Sequence, residues 1–426
     1  MCKNKKIETT GRRGLSATWL AAIILATVLF VGGSVRFFQK VSQGSTAYNR
    51  WRSDVTRLWD RPGELGTFPY PTIGAMLMLP TASVSPMAGA VGWQVAKGVS
   101  LAAVLFFCLR LVGGDESLKG QGPIALLTVC VGARYILDDL THGNINLFVC
   151  LLATGGIYAF VRGKDVMAGL LLGLATAVKI TPALLIVYFL YKRQWKLTIA
   201  AVIGLALFLI VVPVLAQGPG PAWSQFVNWY AYYVEPYVVR GEVFSTQINQ
   251  SLPGVLYRLS VHSPAIERSG EAVNLLNITH EQARWLIRAV SAVILIGLGY
   301  LFRAKITSRG SLGQVAEYGL VLLAMLILSE RSWKAHYVTV MLPAAVLAAG
   351  LWAKELSRVQ RGWIAGLLGA AIVISAATAT DVIGPVASDY AEAYGVVLLG
   401  NMLLAAGLIV ISKIKMQIAT RSVLWK

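Results

Sequence analysis

Along the chain, long hydrophobic runs alternate with short polar breaks. The runs cover approximately residues 15–38, 87–112, 122–137, 145–161, 166–178, 181–191, 197–216, 284–302, 314–329, 337–353, 362–380 and 393–412. A bilayer core about 30 Å thick takes roughly 20 helical residues per crossing, and most of these runs approach that length. Their apolar residues are continuous rather than alternating, so the runs predict helices and not barrel strands. The pattern therefore predicts an all-α polytopic membrane protein with about twelve transmembrane helices. The pair within 166–191 is short for two crossings and is predicted to be partly re-entrant. No soluble stretch of domain size is left over, so residues 1–426 are expected to form a single membrane domain.

Composition agrees with the pattern: 56% of the side chains are apolar and 14% charged, outside the range of ordinary soluble domains. The formal charge of +18 invites a nucleic-acid reading until its distribution is followed. The basic residues gather in short breaks beside apolar runs, such as Arg162 with Lys164, Lys192 with Arg193 and Lys196, and Arg303 with Lys305 and Arg309. That is the positive-inside pattern, and it excludes a nucleic-acid partner. It predicts a plasma (inner) membrane protein with both termini cytoplasmic and the run at 15–38 kept as an anchor. The extracytoplasmic side then receives the first loop 39–86, the turn 138–144, the long loop 217–283, the turn 329–336 and residues 381–392. In the long loop, the aromatics from Trp223 to Tyr237 suit a helix at headgroup level. In the first loop, "IGAMLML" after "FPYPT" predicts a helix lying along or dipping into the interface. Cys2, Cys108, Cys130 and Cys150 form no CxxC pair and read as small hydrophobes.

The polar clusters carry the candidate chemistry, and all of them fall on the extracytoplasmic side. "ILDDLTHGNINLF" brings Asp138, Asp139, His142, Asn144 and Asn146 to one helix end. Ionisable groups near hydrocarbon usually mark function; a carboxylate there suits a general base, and asparagine amides suit sugar hydroxyls. A solvated loop relaxed by Gly143 is the plainer alternative. "ATAVKITPALL" places Lys179 between two half-helices, where it either snorkels to the interface or meets an anionic headgroup near the helix that starts at Pro182. "LSERSWKAHY" places Arg331, Lys334 and His336 on a short turn as a phosphate cradle, unless Glu330 pairs with Lys334 at i,i+4 spacing. Asn249 and Gln250 in "STQINQSLPG" are weaker candidates for sugar or acceptor contacts. The sequence has no Walker loop, no dinucleotide fingerprint, no G-x-S-x-G and no metal-ligand spacing, so neither a cofactor nor a metal is expected.

The stretch from His142 to Lys196, "HGNINLFVCLLATGGIYAFVRGKDVMAGLLLGLATAVKITPALLIVYFLYKRQWK", resembles the marker region of glycosyltransferase family 87. "YPT" in the first loop and "SERSWKAHY" late in the chain extend the likeness over most of residues 45–345. The resemblance implies a GT-C-type fold with extracytoplasmic interfacial loops and helices. It also implies a metal-independent, inverting hexosyltransferase, with mannose the expected sugar. The implied donor is a polyprenyl-phosphate sugar among membrane lipids, and the implied acceptor a glycan or glycolipid. Members carry their catalytic acid in the first extracytoplasmic loop, at a position occupied here near Ser45 or Thr46. The expectation is that Asp139 acts as base beside His142, with Asp54 the alternative and Asp60 nearby. The expected donor-phosphate ligands are Lys179, Arg331, Lys334 and His336; Asn144, Asn146, Asn249 and Gln250 are expected on sugar or acceptor. A carrier for lipid-linked saccharides and an inactive relative of these enzymes are the competing readings.

Overall fold

The computed structural model describes residues 16–57, 68–114 and 118–413, and every regular element among them is helical. In chain order the first helices are α1 (Ala17–Ser42), α2 (Ala47–Thr56), α3 (Thr72–Ala82), α4 (Pro86–Gly113), α5 (Gly122–His142) and α6 (Asn146–Val161). Then come α7 (Asp165–Val178), α8 (Ala183–Tyr191), α9 (Trp195–Ala206), α10 (Val212–Gln217), α11 (Pro219–Tyr233) and α12 (Leu252–Ser260). The remainder are α13 (His280–Leu301), α14 (Leu312–Ile327), α15 (Met341–Gly350), α16 (Arg358–Ala377), α17 (Thr380–Ala393) and α18 (Val396–Ser412). Asp60 lies outside the described residues.

Each of the twelve apolar runs is helical, but crossing is a stricter condition. Among the described residues, five helical segments are long and apolar enough to span a membrane: α1, α4, α9 through α10, α13 and α16. A sixth is counted if α17 and α18, bent by 63°, form one broken span. The others are shortened by polar breaks, as where α7 stops at Val178 and α8 begins at Ala183. Lys179 is extended there, and Thr181 precedes Pro182, a position that disfavours helix. Some of these short helices are buried by their neighbours, while others, such as α8 with Val187 56% exposed, keep an open apolar face. All of α14 from Gly313 to Ile327 is buried, and α15 is nearly so. Around this core, α1, α13 and α16 present large apolar side chains outward, including Val28 (60% exposed), Ile296 (71%) and Val373 (63%). Only hydrocarbon makes such a surface stable, so the chain is a multi-pass membrane protein.

The two ends of the helical bundle differ in what they gather. At one end the breaks after α6, α8 and α13 meet: Lys192 Nζ donates to Phe302 O (2.6 Å) and Ala304 O (2.7 Å), and Arg309 pairs with Asp165. The other end gathers α2, α3, α11, α12, α17 and the turn at 329–336. Here α3 packs one face inward: Thr72, Ile73, Gly74, Ala75 and Met78 are buried, and Thr72 Oγ1 donates to Gln225 Oε1 of α11 (2.7 Å). Its other face is open, with Leu77 43% exposed. By contrast α11 exposes Trp223 (66%) and Tyr232 (71%), as an interfacial helix should. Arg258 of α12 is fully buried, donating to Asn249 O (2.7 Å) and Glu392 O (2.8 Å), which ties the long loop to α17.

Candidate active site

The α7–α8 break, residues 69–71, α11 and the turn 328–336 enclose a cavity of about 460 Å³, a size that accommodates a small ligand. Lys179 reaches it because the extended backbone ends α7 just short of the interface. Its Nζ donates to Asn146 Oδ1 (2.8 Å) and lies 5.9 Å from the Tyr70 ring centre. Arg331 enters from the opposite side, its guanidinium carbon 4.5 Å from the Phe244 ring centre and 5.1 Å from that of Tyr237. Aromatic faces hold the guanidinium in place without neutralising it. Arg331 Nε and Trp333 Nε1 are buried donors without a hydrogen-bond partner among the described residues, which is unusual unless a ligand supplies one. His336 Nδ1 accepts the Trp333 N–H (3.3 Å), which leaves Nε2 as the protonated nitrogen of the neutral ring.

Thus two cations and two further N–H donors converge on one cavity, an arrangement suited to an anionic oxygen cluster. The rest of the wall is apolar: Leu184, Val238, Leu295 and Leu328. Ile180 and Leu295, each 47% exposed, mark its lipid side. One carboxyl also lines the wall. Burial holds Glu330 up at about 7 against the opposing pull of Arg288. Its importance is easily missed in sequence, where it reads as the partner of Lys334; in the structure Lys334 Nζ binds Glu392 instead (2.8 Å).

The other expected residues part company. Asp139 is fully enclosed and paired with Lys97 (2.8 Å), with Asn146 Nδ2 donating to its Oδ1 (3.1 Å). With no exposure it lines neither this cavity nor the one behind the 329–336 turn and does not reach an acceptor hydroxyl, contrary to the base position expected of it; its contact with Lys179 runs through Asn146. His142 faces away from this cavity: its Nδ1 is 3.5 Å from Asp138 Oδ1, and its Nε2 is 3.4 Å from Lys40 Nζ. Lys334 lies on the same far side. Asn144 and Asn146 are buried, off the cavity wall. Asn249 and Gln250 are fully buried and bind backbone: Asn249 Nδ2 donates to Glu330 O (3.0 Å), and Gln250 Nε2 to Glu392 O (2.8 Å). They build the turn that carries Arg331 and are not exposed to a sugar. Sequence reasoning passed over Lys97 altogether, although a lysine inside an apolar run such as "QVAKGVSL" is the kind of residue that marks a buried network.

Asp54 remains beside the cavity. It is 8% exposed on α2, one turn beyond the cavity-lining Trp51, and close enough to Tyr233 of the wall for their charges to interact. Thr46, where the first-loop acid was expected, caps the start of α2 by accepting the Asn49 N–H (3.0 Å). Among the described residues, no three His, Cys, Asp or Glu side chains converge as a metal site.

Comparison with known proteins bears on this geometry. The chain is 25% identical over 273 residues to a polyprenol-phosphate-mannose-dependent alpha-(1-2)-phosphatidylinositol pentamannoside mannosyltransferase of Mycobacterium tuberculosis (strain CDC 1551 / Oshkosh); the match covers 64% of this chain and 56% of that protein. It is 27% identical over 295 residues to a polyprenol-phosphate-mannose-dependent alpha-(1-2)-phosphatidylinositol mannoside mannosyltransferase of Mycobacterium tuberculosis (strain ATCC 25618 / H37Rv), covering 67% of this chain and 62% of the relative. The chain therefore spans between half and two thirds of the length of these relatives. Among solved structures, ArnT from Cupriavidus metallidurans in the apo state aligns with a TM-score of 0.42 and 12% identity, covering 94% of this chain and 78% of that one. The family model for glycosyltransferase family 87 matches residues 68–329, from the Tyr70 wall of the cavity to the start of the Arg331 turn, and the chain belongs to that family.

Proposed function

We propose that the protein transfers a hexose, with mannose the expected sugar, from a polyprenyl-phosphate donor to a membrane glycolipid at the extracytoplasmic face, without a metal and with inversion. The observation that carries this reading is the convergence of Lys179, Arg331, His336 and Trp333 on one cavity whose remaining wall is mostly apolar, with Glu330 its one carboxyl. The named relatives, which use polyprenol-phosphate-mannose and act on phosphatidylinositol mannosides, support the donor and acceptor classes.

The steps follow from the charges. As the glycosidic bond breaks, electrons move onto the lipid phosphate, and fixed cations stabilise that growing charge more than they stabilise the bound donor. Lys179 and Arg331 take this role, with His336 donating from Nε2. Asp54, carried by the first loop as in the family, removes the acceptor proton as the new bond forms. The aromatic wall of Trp51, Tyr70 and Tyr233 holds the sugar between them. The plasma membrane and cytoplasmic termini belong to the same reading, since basic breaks gather at the end opposite the cavity.

The test is transfer of radiolabel from polyprenyl-phosphate mannose into lipid, using purified protein in vesicles with a membrane lipid extract. Wild type should label a glycolipid. Asp54→Asn should abolish transfer, and Lys179→Ala should lower it about tenfold or more, the worth of a charge-assisted hydrogen bond. Wild-type protein that labels nothing with any extract removes the reading; full activity in Asp54→Asn removes the base.

A further inference from the structure

The turn 329–336 has a second side. Behind it, between α1, α5, α16 and α17, lies another cavity of about 730 Å³. Lys334 points into this one while Arg331, Trp333 and His336 face the first, so the short turn forms the partition between two cavities. Charge is uneven here. Arg36, Lys40, Arg134 and Lys334 meet three carboxylates: Asp381 on Arg36 (3.0 Å), Glu392 shared by Arg134 (2.7 Å) and Lys334 (2.8 Å), and Asp138 beside His142 (3.5 Å). Lys40 has no carboxylate partner among the described residues; its Nζ touches only His142 Nε2 (3.4 Å).

A second observation also points to a ligand. Thr141 is 7% exposed, lines this cavity, and its buried hydroxyl has no hydrogen-bond partner among the described residues. Such a group is rarely left unsatisfied. Gln39, Gln43 and Thr380 add hydroxyl and amide groups on the same wall, the kind that bind polyols. Below them the lining turns apolar at Leu29, Leu137 and Ile372, beside the outward-facing Val28 and Val35 of α1.

We propose that this second cavity seats an anionic polyol headgroup of a membrane lipid, with its phosphate on Lys40 and Arg36, a polyol hydroxyl on Thr141, and its tails along α1 and α5. Resting on the transfer reading above, the occupant is the acceptor lipid, whose glycan extends past the partition toward the donor phosphate. The two lipids then approach from opposite sides of the 329–336 turn, and neither has to leave before the other binds.

The experiment is equilibrium binding of tritiated phosphatidylinositol to the full-length protein in phosphatidylcholine nanodiscs. Unlabelled phosphatidylinositol should compete, phosphatidylcholine should not, and tail-less glycerophosphoinositol should compete at least tenfold more weakly. Lys40→Glu should weaken phosphatidylinositol binding about tenfold or more, and Thr141→Val several-fold, with Lys179→Ala at wild-type affinity. Lys40→Gln, which removes the charge without reversing it, keeps the test decisive if the Glu variant is poorly recovered. Wild-type affinity in the Lys40 variants overturns the proposal, as does equal competition by phosphatidylcholine. Glycerophosphoinositol as potent as the lipid overturns the lipid assignment. Wild-type protein that binds phosphatidylinositol through Lys40 yet transfers no mannose leaves this site standing and removes the transfer reading alone.

Discussion

Lys97, Asp139, Asn146 and Lys179 form a buried chain of contacts from the interior of α4 to the donor cavity. The sequence singles out three of its members, Asp139 as base, Lys179 as phosphate ligand and Asn146 as sugar or acceptor ligand; in the structure Asp139 is buried and reaches Lys179 only through Asn146. Removing one partner leaves the other charged and unpaired, which costs roughly 3–5 kcal/mol in a buried pair. Lys97→Met is therefore expected to unfold at markedly lower temperature, and Lys97→Met with Asp139→Leu to recover much of the loss; equal melting of both variants would contradict the pairing. Two groups give the pH dependence: burial brings the Lys179 ammonium down to about 7, so it loses its charge as pH rises through that value, and Glu330 titrates in the same range. Its carboxyl, held at about 7, is neutral below that pH and ionised above it. Ionisation puts a negative charge on the wall that receives a phosphodiester, so the donor KM should rise from pH about 6 to about 8. Glu330→Gln should flatten the rise in part, leaving the share due to Lys179, and an unchanged slope in that variant would show Glu330 uninvolved.

Among elements, the turn at 329–336 decides the most. Its residues look like a cradle in sequence, where four ionisable side chains, Glu330, Arg331, Lys334 and His336, fall within eight positions. What hides from sequence is the division of labour: Arg331 and His336 face one cavity and Lys334 the other, because Asn249 fixes the turn's backbone. Asn249 accepts from Ser332 N–H (3.0 Å) and Ser251 N–H (3.2 Å) and donates to Glu330 O (3.0 Å) and Phe244 O (3.0 Å). Asn249→Ala strips these buried groups of partners at about 1–3 kcal/mol each, so both stability and transfer should fall. Wild-type melting and turnover would show the turn held by other means. The α5–α6 turn was legible for a similar reason and misread for another. Gly143 adopts φ 68° and lies against Phe37, where a Cβ would come within 2.5 Å of the ring, so a glycine is required. Adjacent aspartates on α5 differ by about 100° around the helix, which sends Asp138 to the second cavity and Asp139 into the core. A one-residue register of that kind is fixed by packing, which no local pattern reveals.

At the scale of the molecule, apolar runs mark the helices and their order, and basic breaks carry the expected sidedness. The number of crossings was not legible, because a run such as 314–329 reads the same whether lipid or protein covers it. In α14 it is protein on every side. Sidedness has its own check: Ser45→Cys and Lys164→Cys, both exposed, lie at opposite ends. An impermeant maleimide should label Ser45→Cys in intact cells and Lys164→Cys only after permeabilisation; the reverse pattern would invert the topology.

The central claim is that the cavity of Lys179, Arg331 and His336 holds the phosphate of a lipid-linked sugar. Determining the structure of the protein in nanodiscs with polyprenyl phosphate tests it directly. Phosphate density is expected between Lys179 Nζ and the Arg331 guanidinium, with the prenyl chain leaving past Leu184 and Leu295. Phosphate density in the second cavity on Lys40, with the first cavity empty, would contradict it.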